Sequence, residues 1–466
     1  GLFSPNSPGC LAARPPAFGP ASPAIFAGFD RLDALRDRGS TIDRYFQNSR
    51  NYAFFTHNIF HITDQLALTG GLRYTNERKR FRATFGNDNT ICPAQQAALL
   101  PFLGNAALAP IAGALIALSC QGNSTAELNG VTIRDRRKDS EVTGTGVVSF
   151  KPDDDSLLYA SYSRGYKAGG FNLDRSALKS PILPFAATPG GAQALVGGLQ
   201  FDSEINDAYE IGAKYSRGPI TFNVIAFRQH FRNFQLNTFN GTVFLVQTVN
   251  GCESDLDVPR GDRDLSAATG RCAEDDVGYG VRSQGIELEA FFRPMRYLNV
   301  SMGFTLADTE YRNRLVGNDE GAPLDPALRV LPGNNLSNAP ETVLTGSVGW
   351  TPRLGNSGLS GLFYVDTRVT GDFNTGSDLF PQKEQEGFTL VNARVGIRGP
   401  GERWSIEAWA QNLFDKDYTQ VAFNSPFQAG ASSPPFVDPA FPGGRQIFSA
   451  FLAEPRTYGV TGRIRF

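Results

Sequence analysis

The feature that most constrains this chain is an alternation of apolar and polar residues at every second position, repeated along most of its length. Residues 458–466 show it plainly. Tyr458, Val460, Gly462, Ile464 and Phe466 fall on one face; Gly459, Thr461, Arg463 and Arg465 fall on the other. Residues 66–75 divide the same way, with Leu66, Leu68, Gly70, Leu72 and Tyr74 set against Ala67, Thr69, Gly71, Arg73 and Thr75. In residues 391–398, Val391, Ala393, Val395 and Ile397 alternate with Asn392, Arg394, Gly396 and Arg398. One face suits hydrocarbon and the other suits water.

A soluble β-sandwich alternates too, but its strands are mostly about 5–6 residues long. Many runs here reach about ten, the length that crosses a bilayer when tilted. The connections also alternate in length. Those at 64–65, 153–155, 217–218, 294–296, 353–357 and 399–402 are short. Those at 85–138, 171–201, 236–279, 313–337, 372–384 and 422–454 are long. Short periplasmic turns and long external loops mark a transmembrane barrel. The fold class expected is therefore all-β, a transmembrane antiparallel β-barrel.

Strands are expected near 47–62, 66–84, 139–152, 156–170, 202–216, 219–235, 280–294, 297–312, 338–352, 356–371, 385–398, 403–421 and 455–466, thirteen in all. Residues 242–249 read as a hairpin inside a long loop. A strand that precedes a short turn runs down, so both the first and the last run down. Single-chain bacterial barrels have an even number of strands. The expectation is a C-terminal portion of a longer protein. Residues 1–46 would be an extracellular loop region of an incomplete barrel, and 47–466 the C-terminal part of the barrel. The opening Gly1-Leu2-Phe3-Ser4-Pro5, with no basic start and no apolar core, agrees with that reading.

Composition removes other classes. Lys+Arg is 44 and Asp+Glu is 46, a net charge of −2, which argues against a nucleic-acid binder. Hydrophobic residues at 41% are too many for disorder. Three histidines and two methionines argue against a haem or multi-histidine metal enzyme. Residues 97–119 are nearly uncharged but contain Pro101, Pro110, Gly104 and Gly113, so they read as a loop bearing a short helix rather than a membrane span.

Several motifs stand in order along the chain. Residues 66–75 are the first. Next come Leu158-Tyr159-Ala160-Ser161-Tyr162-Ser163-Arg164-Gly165-Tyr166-Lys167-Ala168-Gly169-Gly170-Phe171-Asn172 and Tyr209-Glu210-Ile211-Gly212-Ala213-Lys214-Tyr215. Gly285-Ile286-Glu287-Leu288-Glu289, Asn412-Leu413-Phe414-Asp415-Lys416-Asp417-Tyr418 and Pro455-Arg456-Thr457-Tyr458-Gly459 follow, and the chain ends on Phe466. In this order they resemble the C-terminal barrel portion of TonB-dependent outer-membrane receptors.

That resemblance implies a 22-stranded barrel, of which nine strands, the plug and the energy-coupling box of the family have no counterpart here. It implies TonB-dependent uptake of a scarce, bulky nutrient, most often a ferric siderophore or similar complex, across the outer membrane of a Gram-negative bacterium. The implied partners are outer-membrane lipid, the inner-membrane TonB energy-coupling complex, the iron–siderophore or other small nutrient, and the barrel-assembly machinery, which would read the strand ending at Phe466. A passive channel or porin, or a loop-mediated binding protein, is the alternative.

Candidate ligand contacts are Arg164, Lys167, Phe171 and Phe373. Arg73, Ser161, Ser163, Asn392, Arg394, Glu407, Gln411, Arg463 and Arg465 are expected to face the lumen. Cys92 with Cys120, and Cys252 with Cys272, each fall within one long loop, where disulfides form in an oxidising compartment; Cys10 is left over. No nucleophile elbow, phosphate-binding loop or zinc-protease motif is present, so no enzyme, cofactor or metal is expected. His57 and His61 cannot share a metal on a strand, because four residues span about 13 Å. The loop with Glu253, Asp255, Asp257, Asp262, Asp264, Glu274, Asp275 and Asp276 reads as a solvated acidic hairpin.

Overall fold

The protein is described here by a computed structural model covering residues 18–34, 43–86, 91–120, 131–173, 199–239, 244–257, 262, 264–425 and 447–465. Thirteen strands form one sheet in which each is bonded to the next in chain order. They are β1 (Arg44–His61), β2 (Leu66–Thr84), β3 (Thr132–Asp153), β4 (Ser156–Lys167), β5 (Glu204–Arg217), β6 (Ile220–Arg232) and β7 (Val281–Met295). Then come β8 (Leu298–Tyr311), β9 (Thr342–Trp350), β10 (Ser360–Thr370), β11 (Phe388–Arg398), β12 (Trp404–Gln411) and β13 (Thr457–Ile464). All pairings in this sheet are antiparallel, and each strand matches one expected from the alternation.

The two boundaries that moved furthest did so for physical reasons. β3 starts at Thr132 rather than near 139, because it pairs with β2 along its full length, from Leu66 opposite Phe150 to Thr84 opposite Thr132. β12 stops at Gln411 because Asn412 turns the chain, with φ of 47°. The Asn412 amide donates to the carbonyls of Lys416 at 2.9 Å and Glu454 at 3.3 Å. Asn tolerates this left-handed backbone, and its side chain supplies the turn's hydrogen bonds. The residues beyond it, Thr419–Asn424, pair with Phe448–Leu452 in a separate ribbon.

The short connections are tight. Arg217 lies opposite Ile220, and Gly218 between them has φ of +59°, a conformation a side chain resists. The long connections carry structure of their own. The segment 242–249, expected to be a hairpin by itself, contributes one arm of a larger one, Phe234–Phe239 against Phe244–Cys252, outside the main sheet. Helices α1 (Ser22–Asp33), α2 (Ile91–Leu99) and α3 (Ala109–Cys120) pack around Ile25, Leu99, Ala112 and Ile116, all fully buried. The 97–119 segment thus becomes parts of two short helices in a loop cluster. Gln95 closes this cluster by donating to the Gly28 carbonyl at 2.8 Å.

The sheet has two chemically distinct faces. Leu68, Leu72, Ile211, Ile286, Val348, Val395 and Val460 share one face and are exposed. The opposite face carries polar side chains that bond to one another across strands. Asn223 donates to Glu289 at 3.2 Å, Ser301 meets Ser347 at 2.7 Å, and Asn392 donates to Asp366 at 2.8 Å. Water fits one face and hydrocarbon the other, as a membrane barrel requires.

Candidate ligand-binding site

The polar face carries the residues assigned to the lumen. The Arg73 Nε donates to Thr75 Oγ1 at 3.0 Å on the same face of β2. Ser161 lies opposite Val147 and Glu210, and Ser163 opposite Thr145 and Ala208, which puts both on this face. Gln411 accepts from the Thr457 hydroxyl at 3.4 Å. Arg463 lies opposite Ser405, one rung from Glu407. Arg394 approaches Glu407 at 3.3 Å and Arg398 approaches it at 3.8 Å; the Glu407 side chain is only 2% exposed. Arg465 sits at the short-turn end, 3.5 Å from Glu402. Phe466 lies outside the described residues.

Above this face the loops close on one another. Phe171 is buried beside Phe81, with ring centroids 4.7 Å apart and planes 11° from parallel. Phe85, Ile133 and Leu199 complete that cluster. Residues on β7 and β8 and their loops build a second one, including Val249, Val281, Tyr311, Leu315 and Leu328. Cys252 and Cys272 form a disulfide with Cα atoms 5.9 Å apart. Cys92 is disulfide-bonded; the Cys120 side chain and Cys10 lie outside the described residues.

Between these clusters lies a polar cavity of about 730 Å³, within the range of ligand pockets. Its wall joins three loops to β3. Arg137 Nη1 bonds to Asp202 at 2.9 Å, and Arg137 Nη2 reaches Asp139 at 2.8 Å. Asn172 donates to the Val246 carbonyl at 3.1 Å and accepts from the Val246 N–H at 2.7 Å. Gln247 donates to Asp325 at 2.8 Å, and Thr248 donates to the Gly317 carbonyl at 2.8 Å. Burial, with Asp202 nearby, pushes the Asp319 carboxyl above its ordinary value.

A second cavity of about 460 Å³ is lined by Asn334, Asp372, Phe373, Asn374, Gln385 and neighbours. Beneath it the Lys383 ammonium bonds both Asp378 oxygens at 2.6 Å, and both side chains are buried. Asn424 adds a bond to Asp378 at 3.0 Å. Burial lowers the Lys383 pKa, and the Asp378 charge opposes that shift.

The structure distributes the four candidate contacts rather than grouping them. Phe373 lines the smaller cavity. Phe171 sits in the apolar cluster next to the larger one. Arg164 lies opposite Gly144 and Asp207, on the apolar side of the sheet, 3.5 Å from Asp207. Lys167 lies opposite Glu204 at the end of β4 and is exposed. The larger cavity is lined instead by amides and carboxylates of the loops. No spacing in the sequence marks them, because the loops converge only once the strands have paired.

A family model described as TonB dependent receptor-like, beta-barrel, matches residues 15–413. Two solved structures share the fold. One is the ferric yersiniabactin uptake receptor of Yersinia pestis, 16% identical, TM-score 0.57, covering 91% of this chain and 47% of that one. The other is the siderophore receptor PiuA of Acinetobacter baumannii, 14% identical, TM-score 0.53, covering 90% of this chain and 43% of that one. This chain spans less than half the length of either. At such identities the likeness is one of fold. The family match extends over most of the two-faced sheet and its loops, and the chain belongs to the TonB-dependent receptor beta-barrel family.

Proposed function

We propose that this chain supplies the C-terminal part of the barrel of an outer-membrane receptor in a Gram-negative bacterium. That receptor takes up a scarce, bulky nutrient, a ferric siderophore or similar complex, using energy from the TonB system. The observation that carries the reading is the polar cavity of about 730 Å³, held between three bonded loops above the polar sheet face. A passive pore needs no such cavity.

The chemistry of the wall narrows the ligand. Carboxylates outnumber cations there: Asp202, Glu320 and Asp325 stand against Arg137, which already pairs with Asp202 and with Asp139 of β3. A neutral or cationic complex rich in hydrogen-bond donors fits this wall better than a polyanion. Loop amides such as Asn172 and Gln247 orient the ligand. The sheet's own polar side chains then give it a wetted path.

The test uses the full receptor in cells starved of iron. Radiolabelled ferric complexes of differing charge are offered with and without a working TonB system. Uptake that requires the TonB system and favours neutral or cationic complexes supports the reading. Equal flux without energy coupling assigns a passive channel and overturns it.

A further inference from the structure

The upper halves of β1, β2 and β3 carry an unusual distribution of charge. On β2, Arg78, Arg80 and Arg82 occupy alternate positions and are exposed. On β3, Lys138, Arg136 and Arg134 lie directly opposite them, and Arg50 of β1 lies opposite Arg78. All seven point to the same side as Leu68 and Leu72, the apolar side of the sheet. The acids of this region, Glu77, Asp135, Asp139 and Glu141, occupy the intervening positions on the other side, where Lys79 and Arg137 pair with Glu77 and Asp139.

Like charges opposed across a ladder are destabilising. Among the described residues, Arg50, Arg78, Arg80, Arg136 and Lys138 have no carboxylate within ion-pair distance. Arg82 lies 5.5 Å over the Phe46 ring, and a cavity of about 590 Å³ opens between Phe46, Arg80, Phe81, Arg82, Arg134, Asp135 and Arg136, where the Asp135 carboxylate is taken up by the Gln200 amide. This arrangement needs anions from outside the chain.

The position along the strand says which anions. Reading up the apolar side of β2, Leu66, Leu68, Gly70, Leu72 and Tyr74 give eight residue steps, about 26 Å along the strand at roughly 3.3 Å each and about 20 Å of height at the roughly 40° tilt of a barrel strand. With the next rung, Asn76, the rise reaches about 25 Å, the height of the apolar band of a membrane barrel. Tyr52 and Tyr74 close the band at the level where aromatic side chains meet headgroups. Asn76, directly opposite Tyr52, donates to Ser140, and the first cations, Arg78 and Lys138, follow at the next rung on that side. They stand at headgroup height on the wall that faces lipid.

We propose that this face is a binding site for phosphorylated lipid headgroups of the leaflet at the long-loop end. The guanidiniums would grip lipid-borne phosphate, for which their fork geometry is suited. The proposal shares with the uptake reading only the placement in the membrane.

The full receptor is purified in zwitterionic detergent and titrated with nanodisc lipid of three kinds: phosphatidylcholine alone, phosphatidylcholine doped with a bis-phosphorylated glycolipid, and a dephosphorylated form of that glycolipid. The test variant is Arg78→Gln/Arg80→Gln/Arg136→Gln. The control is Lys151→Gln/Arg217→Gln at the short-turn end. Retention of the heat-modifiable band on a gel establishes that each variant is folded.

Each basic residue at an anionic leaflet is worth about fivefold, so the triple variant should bind the phosphorylated lipid roughly a hundredfold more weakly, with the control unchanged. Equal affinity for dephosphorylated lipid overturns the proposal. So does a folded triple variant that binds as tightly as the wild type, or competition by a soluble polyanion that removes any preference for lipid. Ferric-complex uptake, measured on the same variants in cells, reports on the cavity independently of this face.

Discussion

Arg394 of β11 reaches across the ladder to Glu407 of β12, with Nη1 3.3 Å from Oε2, while Arg398 holds the same carboxylate from 3.8 Å. Glu407 is 2% exposed, whereas both arginines keep contact with water. Replacing Glu407 with Gln removes the charge that separates two guanidiniums but keeps a hydrogen-bond acceptor. Glu407→Gln should cost about 1–3 kcal/mol, and Glu407→Ala should cost more. The temperature at which the folded band disappears on a gel reads this directly, and unchanged midpoints in both variants would count against a structural role for the pair.

Lys383 and Asp378 form a fully buried pair in the loop before β11. Lys383→Met leaves the Asp378 carboxylate buried without its cation. Breaking such a pair costs about 3–5 kcal/mol, whereas replacing both partners with neutral groups is far milder. Hydrogen exchange in 373–385 should therefore speed up sharply in Lys383→Met and recover in Lys383→Met/Asp378→Asn. The strands should keep their protection in both.

Phe171 stacks on Phe81 and anchors the loop after β4 to the top of β2. Phe171→Ala removes a buried aromatic and should destabilise this anchorage by about 3–5 kcal/mol. Protease sensitivity between 169 and 201 should rise while the sheet stays intact. Ligand affinity should fall with it, because Asn172 and Gln200 of the cavity wall hang from the same anchor.

The Cys252–Cys272 disulfide closes a loop with a sequence separation of 20. In the chain-entropy account a loop of this size is worth about 3 kcal/mol. Cys252→Ser/Cys272→Ser should open 252–277 to proteolysis and leave heat-modifiability of the barrel nearly unchanged. Loss of the folded band in that variant would show that the loop supports the barrel itself.

Glu253 receives two hydrogen bonds from Arg312, and these hold its carboxyl below the ordinary value of 4.5. The sign follows from that depression. Above 4.5 the pair contributes fully; as the pH falls through the folded-state value, Glu253 protonates and the contribution is lost. Exchange protection around 250–255 should therefore drop on acidification below 4.5. Glu253→Gln should abolish that dependence, and an unchanged acid response in the variant would assign it to other carboxylates.

The sheet was legible because alternation in a membrane strand is enforced from both sides. Leu68 and Leu72 must meet hydrocarbon while Arg73 must meet water, and a slip of one residue would reverse every assignment. The segment 242–249 was legible only as loop structure apart from the barrel: its partner strand, Phe234–Phe239, lies outside the main sheet and was not marked by the sequence. The cavity was not, since Asn172, Gln247 and Asp325 come from three separate loops and only meet when the strands below them align. The lipid-side cations were open to view as alternate Arg and Lys in 78–82 and 134–138. A net charge of −2 conceals them, because the balancing acids sit on the other face. Arg164 was misleading in its own way: counting two at a time from Leu158 places it among the outward residues, where the structure has it.

β1, β2 and β3 have 18, 19 and 22 residues, whereas β9, β12 and β13 have 9, 8 and 8. The top of the main sheet is therefore lopsided: β1 to β3 stay paired where β12 and β13 have already given way to the separate ribbon of Thr419–Asn424 and Phe448–Leu452. The difference between β3 and β12 alone amounts to about 46 Å of strand at roughly 3.3 Å per residue. The hydrogen-bonded ladder of β1 to β3 continues well past the level at which β12 and β13 have ended. The long loop between β2 and β3 thus starts far from the short turns, held up by backbone pairing alone, whereas that between β12 and β13 starts close to them.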